Sequence, residues 1–220
     1  MKLKKSTLFF YSLAEMPINI ALFPILVFIP KFYTGEMGVP LALAANIILA
    51  VRIFDVFTDP IVGYINDRTN TKWGRRRPWI AMATPLLMVS IYMLFIPPEG
   101  AGALHLFLWM FLLSIATTML IIPYYAWGAE LSPDYNERSR ITGWRSISGV
   151  VGSLSAQLIP TIALVFFGLG GSTNVLYIVG IASVIIMPIC VFLTVSKVPE
   201  SKDYIKSNIS PIKGFKIMLK

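Results

Sequence analysis

The residues that point most directly to chemistry are three charged side chains in an otherwise apolar stretch. Arg52, Asp55 and Asp59 lie in the segment VRIFDVFTDPIVGYIN. Residues three and four apart share one face of an α-helix, so the spacing predicts both carboxylates and the guanidinium side by side. If this helix crosses a membrane, each charge costs roughly 2.5–3.5 kcal/mol at the bilayer centre. A cost of that size indicates a functional site, unless the charges only neutralise one another.

Two carboxylates on one helical face suit a hard cation, which prefers oxygen ligands. The carboxylates also repel each other, so one of them tends to hold a proton when no cation lies between them. The pair therefore predicts a cation site at which Na⁺ and H⁺ compete, and we expect no cofactor. The alternative is a structural role, in which Arg52 and Arg145 neutralise Asp55 and Asp59.

The rest of the chain predicts the helices that must position this trio. Hydrophobic residues make up 56% of the 220 residues and come in long runs. Each run is near the 20 residues that a helix needs to cross a bilayer. We expect an all-α membrane protein, with a six-helix transmembrane bundle over residues 1–196 and a basic cytoplasmic tail, or the start of a central loop, over 197–220. The predicted spans are about 7–29, 40–64, 78–96, 104–127, 141–167 and 174–194.

The net charge of +8 is explained by the membrane rather than by nucleic acid. Nearly all Lys and Arg residues fall at the amino terminus, in the second and fourth loops and in the tail. The positive-inside rule then places both termini in the cytoplasm. We expect a multi-pass protein of the cell inner (plasma) membrane. We expect the lipid bilayer as a partner, with tail lysines near anionic lipid, and no nucleic acid.

The motif around the trio extends into a basic turn and has a specific form. The sequence DPIVGYINDRTNTKWGRRRPW, preceded by R-x-x-D, resembles the glycoside–pentoside–hexuronide:cation symporters, a branch of the major facilitator superfamily typified by melibiose permease. The stretch IPYYAWGAELSPDYNERSRITGWR is similar to the fourth span and following loop of that family. The resemblance covers essentially the whole chain and implies the N-terminal half of a two-half transporter.

The resemblance implies a cation site in the second and fourth spans. Asp55 and Asp59 match the two site carboxylates of the family, and Thr118 matches a site threonine. Thr58 stands where melibiose permease has Asn. Arg52 is expected to be the charge partner of the pair.

The resemblance also implies a substrate site. Glu15 falls near the sugar-binding Asp of the family, with Asn19 on the same helical face, and Arg145 matches the Arg of the fifth span. The alternative for Glu15 is a carboxylate near the cytoplasmic mouth, paired with a Lys of the amino terminus. Tyr125 is an aromatic side chain that can stack on a sugar ring. Ile121 falls where melibiose permease has its second sugar-binding Asp. This departure argues against a galactoside and leaves sulfonated sugars, glucuronides or a lipid-like solute open.

The basic turn (residues 68–77) and the second charged loop (residues 130–140) are expected to form a cytoplasmic gate. In this gate, carboxylates and arginines hold the cytoplasmic side of the bundle closed. The alternatives are a topology anchor for the turn and a solvated surface for the loop. The predicted gate residues are Asp67, Arg68, Arg75, Arg76, Arg77, Glu130, Glu137 and Arg138.

Together these features predict a cation-coupled symporter for a sugar, glycoside or related organic solute, seen as its N-terminal half. Transport would need the missing C-terminal six-helix half or a homodimer partner. One alternative is a non-transporting half transporter that acts as an assembly or receptor protein. Another is an intramembrane enzyme that uses the carboxylates as acid and base, although the sequence offers no evident nucleophile–base pair and we do not expect an enzyme.

Overall fold

The computed structural model describes residues 2–168 and 171–200, so the predicted tail lies outside the described residues from position 201 onward. The described residues form eight helices and no strand. The helices are α1 (Lys5–Ser12), α2 (Glu15–Val27), α3 (Ile29–Gly35), α4 (Leu41–Arg68), α5 (Arg77–Phe95), α6 (Ala103–Glu130), α7 (Tyr135–Phe167) and α8 (Ser172–Lys197).

Six helical segments are long and apolar enough to cross a membrane, as the sequence predicts. The first joins α1 and α2 over Lys5–Val27, and α4 to α8 supply the other five. The short helix α3 occupies part of the predicted loop after the first span. The result is an all-α membrane bundle with six candidate spans.

The first span is interrupted between α1 and α2, at Leu13 and Ala14. The interruption lies four residues before Pro17, which has no N–H to donate to the Leu13 carbonyl. Instead, the Met16 N–H reaches Leu13 O, 3.3 Å away. This local geometry places Glu15 at the first turn of α2, inside the bundle.

Every candidate span contains a proline within its helix. Because proline lacks an N–H, the carbonyl four residues earlier loses its helical donor, and each span carries at least one weakened point. These prolines are Pro24, Pro60, Pro85, Pro123, Pro160 and Pro188.

Helix α7 begins six residues before the predicted fifth span. Asp134 is its N-cap, and the Asp134 carboxylate accepts a hydrogen bond from the Glu137 N–H at 3.0 Å. A capping carboxylate satisfies a donor that the first helical turn leaves free. Part of the second charged loop is therefore helical.

The bundle packs α2 against α7 and α8, α5 between α6 and α8, and α4 on α6. Gly152 lets α7 approach α2 closely, because a Cβ at this position would collide with the Met16 carbonyl oxygen. Tyr11 and Tyr124 join α1 to α6, each hydroxyl donating to the carbonyl of the other residue at 3.0 and 2.8 Å. Helices α4 and α7 are the least buried of the candidate spans. Only 17% and 22% of their most apolar 18-residue stretches are buried inside the bundle.

Candidate functional site

The two carboxylates of α4 face hydroxyl groups on α6. Ser114 donates a hydrogen bond to Asp55 Oδ1, and Thr118 donates to Asp59 Oδ1 at 2.8 Å. Both pairs are separated by 59 residues along the chain. This constant offset shows that α4 and α6 run parallel here, with one helical turn of each in register.

A cavity of about 380 Å³ opens between α2, α4 and α6 beside these groups. Its apolar wall includes Leu22 and Ile25 of α2 and Met110 and Leu113 of α6. Its polar wall consists of Arg52, Asp55 and Asp59 from α4 and Ser114, Thr117 and Thr118 from α6. The cavity therefore presents a cluster of oxygen atoms within apolar surroundings.

Arg52 pairs with the nearer carboxylate only. Arg52 Nη1 lies 3.3 Å from Asp55 Oδ2, in an ion pair three residues apart on α4. The side chain of Arg52 is 62% exposed and that of Asp55 is 18% exposed, and Asp59 is also exposed. Arg145, the other cation expected to neutralise the pair, lies instead over the ring of Tyr125.

Thr58 turns back toward its own helix. Its hydroxyl lies 3.3 Å from Phe54 O and 3.5 Å from Asp55 O, and Thr58 is not among the residues that line the cavity. Of the threonines expected at the cation site, the structure brings Thr118 to the carboxylates and leaves Thr58 on the helix surface.

The expected substrate residues form a second cluster. The Tyr125 hydroxyl donates to Glu15 Oε1 at 3.1 Å, and the Arg145 guanidinium lies 3.9 Å from the Tyr125 ring centroid. Asn19 Nδ2 donates to the Glu15 carbonyl at 2.9 Å. Glu15 is only 8% exposed, and its Oε2 is buried without a hydrogen-bond partner in the part of the chain that the structure describes. The cluster thus keeps one acceptor free inside the bundle.

One face of α6 connects the two clusters. Ser114, Thr118, Ile121 and Tyr125 follow one another at spacings of four, three and four residues, which is the periodicity of a single helical face. Ile121 lines the cavity, so the position at which melibiose permease has a carboxylate is apolar here. The acidic residues that line the cavity, Asp55 and Asp59, both come from α4.

The basic turn and the end of α6 form a compact charge network. Glu130 Oε1 accepts from Arg75 Nη2 at 2.5 Å and from Arg76 Nη2 at 2.6 Å. Arg76 is 3% exposed, and its other nitrogen lies 2.8 Å from Asp67 and also contacts Asn66. Four of the eight predicted gate residues, Asp67, Arg75, Arg76 and Glu130, are brought together.

The same turn also binds the segment that follows α8. Glu200 Oε1 accepts from the backbone N–H groups of Arg75 and Arg76, each at 2.7 Å. Arg77 donates to Val198 O at 2.7 Å and lies 3.9 Å from the Glu200 carboxylate. Trp127 donates to Pro199 O at 3.0 Å. Residues 198–200 thus close the end of the bundle against α5 and α6.

The remaining three predicted gate residues, Arg68, Glu137 and Arg138, lie outside this network. Glu137 pairs with Arg140 at 2.5 Å and accepts from the Leu3 N–H at 3.1 Å. Arg138 donates to Ser132 O at 2.9 Å. Arg68 lies 4.1 Å from the ring centroid of Tyr64, in a cation–π contact.

The sequence reasoning missed Ser114, Thr117, Asn66 and Glu200. Ser114 and Thr117 lie within one turn of the predicted Thr118, so the helical period of α6 was the available signal. Glu200 is an acidic residue that directly follows the last span, between Lys197 and Lys202.

These features define a multi-pass membrane bundle with carboxylates beside an internal cavity, which is a feature of secondary transporters. A family model described as "MFS/sugar transport protein" matches residues 10–218. The chain belongs to this family, whose members are membrane transporters and not enzymes.

Curated relatives carry the names of symporters and transporters. The isoprimeverose transporter of Lactiplantibacillus pentosus is 29% identical over 93% of this chain and 44% of its own length. An uncharacterised symporter of Synechocystis is 32% identical over 64% of this chain and 27% of its own length. The sodium-dependent lysophosphatidylcholine symporter 1 of Mus musculus is 33% identical over 58% of this chain and 26% of its own length. The chain thus spans less than half the length of these relatives.

Proposed function

We propose that this chain forms the N-terminal half of a cation-coupled symporter for a sugar, glycoside or related organic solute. The observation that carries the proposal is the arrangement of Asp55 and Asp59 opposite the hydroxyls of α6, beside a cavity in an apolar bundle. Carboxylates within a membrane-spanning helix are costly, and a bound cation offsets that cost. The names of the relatives support a symporter.

We propose Na⁺ as the coupling ion, bound by Asp55, Asp59 and Thr118. Oxygen ligands suit a hard cation, and the mouse relative is named as sodium-dependent. Thr58, which the resemblance assigns to the same site, would have to rotate away from its own helix to contribute.

We propose that the solute binds at Glu15, Asn19, Tyr125 and Arg145. The free Oε2 of Glu15 supports this role, because a solute hydroxyl can donate to it. The cation and the solute would then occupy neighbouring parts of the bundle, joined by one face of α6. Each would stabilise the arrangement that the other prefers, so each raises the affinity for the other.

The exposed apolar faces of α4 and α7 support a second six-helix body as the partner, either the missing C-terminal half or a second copy of this chain. The charges of the loops favour both termini in the cytoplasm, and we propose the plasma membrane as the location. In that orientation the network of Asp67, Arg75, Arg76 and Glu130 would hold the cytoplasmic end closed.

The test is calorimetric titration of Na⁺ into the purified chain, with choline chloride balancing the ionic strength. Saturable binding is expected for the wild type and for Glu99→Gln, which removes an exposed carboxylate from a distant turn. Binding should be lost in Asp59→Asn. Equal binding by wild type and Asp59→Asn would overturn the site, and absence of binding in the wild type would contradict Na⁺ as the ion of this half.

A further inference from the structure

The polar wall of the cavity contains more oxygen atoms than the proposed cation site uses. Helix α6 presents Ser114, Thr117 and Thr118 within a single turn, opposite the two carboxylates of α4. Three hydroxyls and two carboxylates thus line one cavity, and two of the hydroxyls, those of Ser114 and Thr118, contact the carboxylates directly. A hard cation binds through several oxygen ligands, so this number matters.

Ser114 is placed to share a cation with Asp55. Its hydroxyl donates to Asp55 Oδ1, whereas Asp55 Oδ2 is engaged by Arg52. A hydroxyl carries two acceptor lone pairs besides its proton. A cation at Oδ1 would therefore find the Ser114 oxygen beside it, after a rotation of the O–H bond only.

Thr117 supplies an independent observation that points to a ligand. Its hydroxyl oxygen is buried and has no hydrogen-bond partner among residues 2–168 and 171–200, although a buried hydroxyl normally has one. Thr117 lines the same cavity as Asp55, Asp59 and Ser114. A cation bound in this cavity would give the Thr117 oxygen the partner that it lacks.

We propose that Ser114 and Thr117 are ligands of the cation in this cavity, completing with Thr118 a hydroxyl-lined side on α6. The inference rests on the proposed cation site of Asp55 and Asp59, and extends it to two residues that the family resemblance does not indicate. The site then consists of carboxylates from α4 and hydroxyls from α6, and it forms wholly within this half of the transporter.

The experiment measures Na⁺ affinity by calorimetry in the purified chain, using variants that differ only in these hydroxyls. Ser114→Ala and Thr117→Val should each weaken Na⁺ binding about tenfold, because each loses one oxygen that contacts a charged group. Ser114→Thr keeps a hydroxyl and should retain most of the affinity. Ser155→Ala makes the same change as Ser114→Ala on α7, where the Ser155 hydroxyl donates to Val151 O, and should leave the affinity unchanged.

The outcomes separate the two proposals. If Asp59→Asn abolishes binding but Ser114→Ala and Thr117→Val bind Na⁺ as the wild type does, the hydroxyl ligands are overturned and the carboxylate site remains. If the wild type itself binds no Na⁺, both proposals fail together. Thermal unfolding midpoints of all variants show whether a loss of affinity is local. A loss that Ser114→Thr shares fully, with a lowered midpoint, would indicate packing and overturn the ligand role.

Discussion

Asp55 and Asp59 have different surroundings, although they lie only one helical turn apart. Asp55 is engaged on both oxygens, by Arg52 and by Ser114, whereas Asp59 accepts from Thr118 and is more exposed. A cation approaching Asp55 must compete with a guanidinium, but at Asp59 it meets a neutral hydroxyl. Asp59 is therefore the better first contact for an incoming cation.

The two threonines that the resemblance assigns to the cation site should behave differently when each is replaced by Val. Thr118→Val removes the hydroxyl that contacts Asp59 and should lower the Na⁺ affinity of the purified chain about tenfold. Thr58→Val should change the affinity less than twofold, because its hydroxyl contacts carbonyls of its own helix. Calorimetric titration checks both values, and an equal loss in the two variants would contradict this geometry.

The residue-scale features that sequence alone predicts are those fixed by one helix. The spacing of Asp55 and Asp59 places them on one face, whatever surrounds the helix. The direction of the Thr58 hydroxyl depends on a competition between its own backbone and neighbouring helices, which spacing does not encode. The partnership of Ser114 with Asp55 depends on the register of α6 against α4. That register arises only from packing.

At the scale of helices, the contact between α2 and α7 depends on a missing side chain. Gly152→Ala would place a methyl group against the Met16 carbonyl oxygen and should destabilise the chain by about 1–3 kcal/mol. Gly143→Ala lies on the same helix with open space around it, so it should be neutral or stabilising by up to about 1 kcal/mol. Thermal unfolding midpoints in detergent measure both effects. A midpoint for Gly152→Ala at or above that of Gly143→Ala would contradict the close approach.

Glu200 should anchor the start of α5. Glu200→Ala removes two hydrogen bonds from the N–H groups of Arg75 and Arg76, with an expected cost of about 1–3 kcal/mol. The freed turn should be cut faster by trypsin after Arg75 and Arg76, as mass spectrometry of the fragments would show. Glu99→Ala, in an exposed turn elsewhere, is the control and should leave cleavage unchanged. Unchanged cleavage in Glu200→Ala would mean that the carboxylate does not hold the turn.

The six spans could be predicted from sequence because length and hydrophobicity decide them one at a time. The break before Glu15 was less accessible, because Pro17 and Pro24 both predict a distortion and only packing shows where the helix stops. The early start of α7 follows from the Asp134 cap, a short-range signal that a hydrophobicity reading overlooks. The position of Glu200 could not be predicted, since it depends on how α8 ends against α5 and α6.

At the scale of the molecule, the basic turn between α4 and α5 and the Pro98–Gly100 turn between α5 and α6 should lie on opposite sides of the membrane. Lys72→Cys and Glu99→Cys place a thiol in each of these exposed turns, and the native Cys190 is buried. An impermeant maleimide should label Glu99→Cys in intact cells and Lys72→Cys only after permeabilisation, because basic loops stay cytoplasmic. Labelling of Lys72→Cys in intact cells would reverse the orientation.

The contact between Glu200 and the basic turn can form only late in the synthesis of the chain. Glu200 lies 125 residues after Arg75, so α5 to α8 are all made before its carboxylate exists. Until then, the backbone N–H groups of Arg75 and Arg76 lack the carboxylate that accepts their hydrogen bonds in the folded bundle. Glu200 follows all six spans in the chain. Its contact with the basic turn can therefore form only after the sixth span has been synthesised.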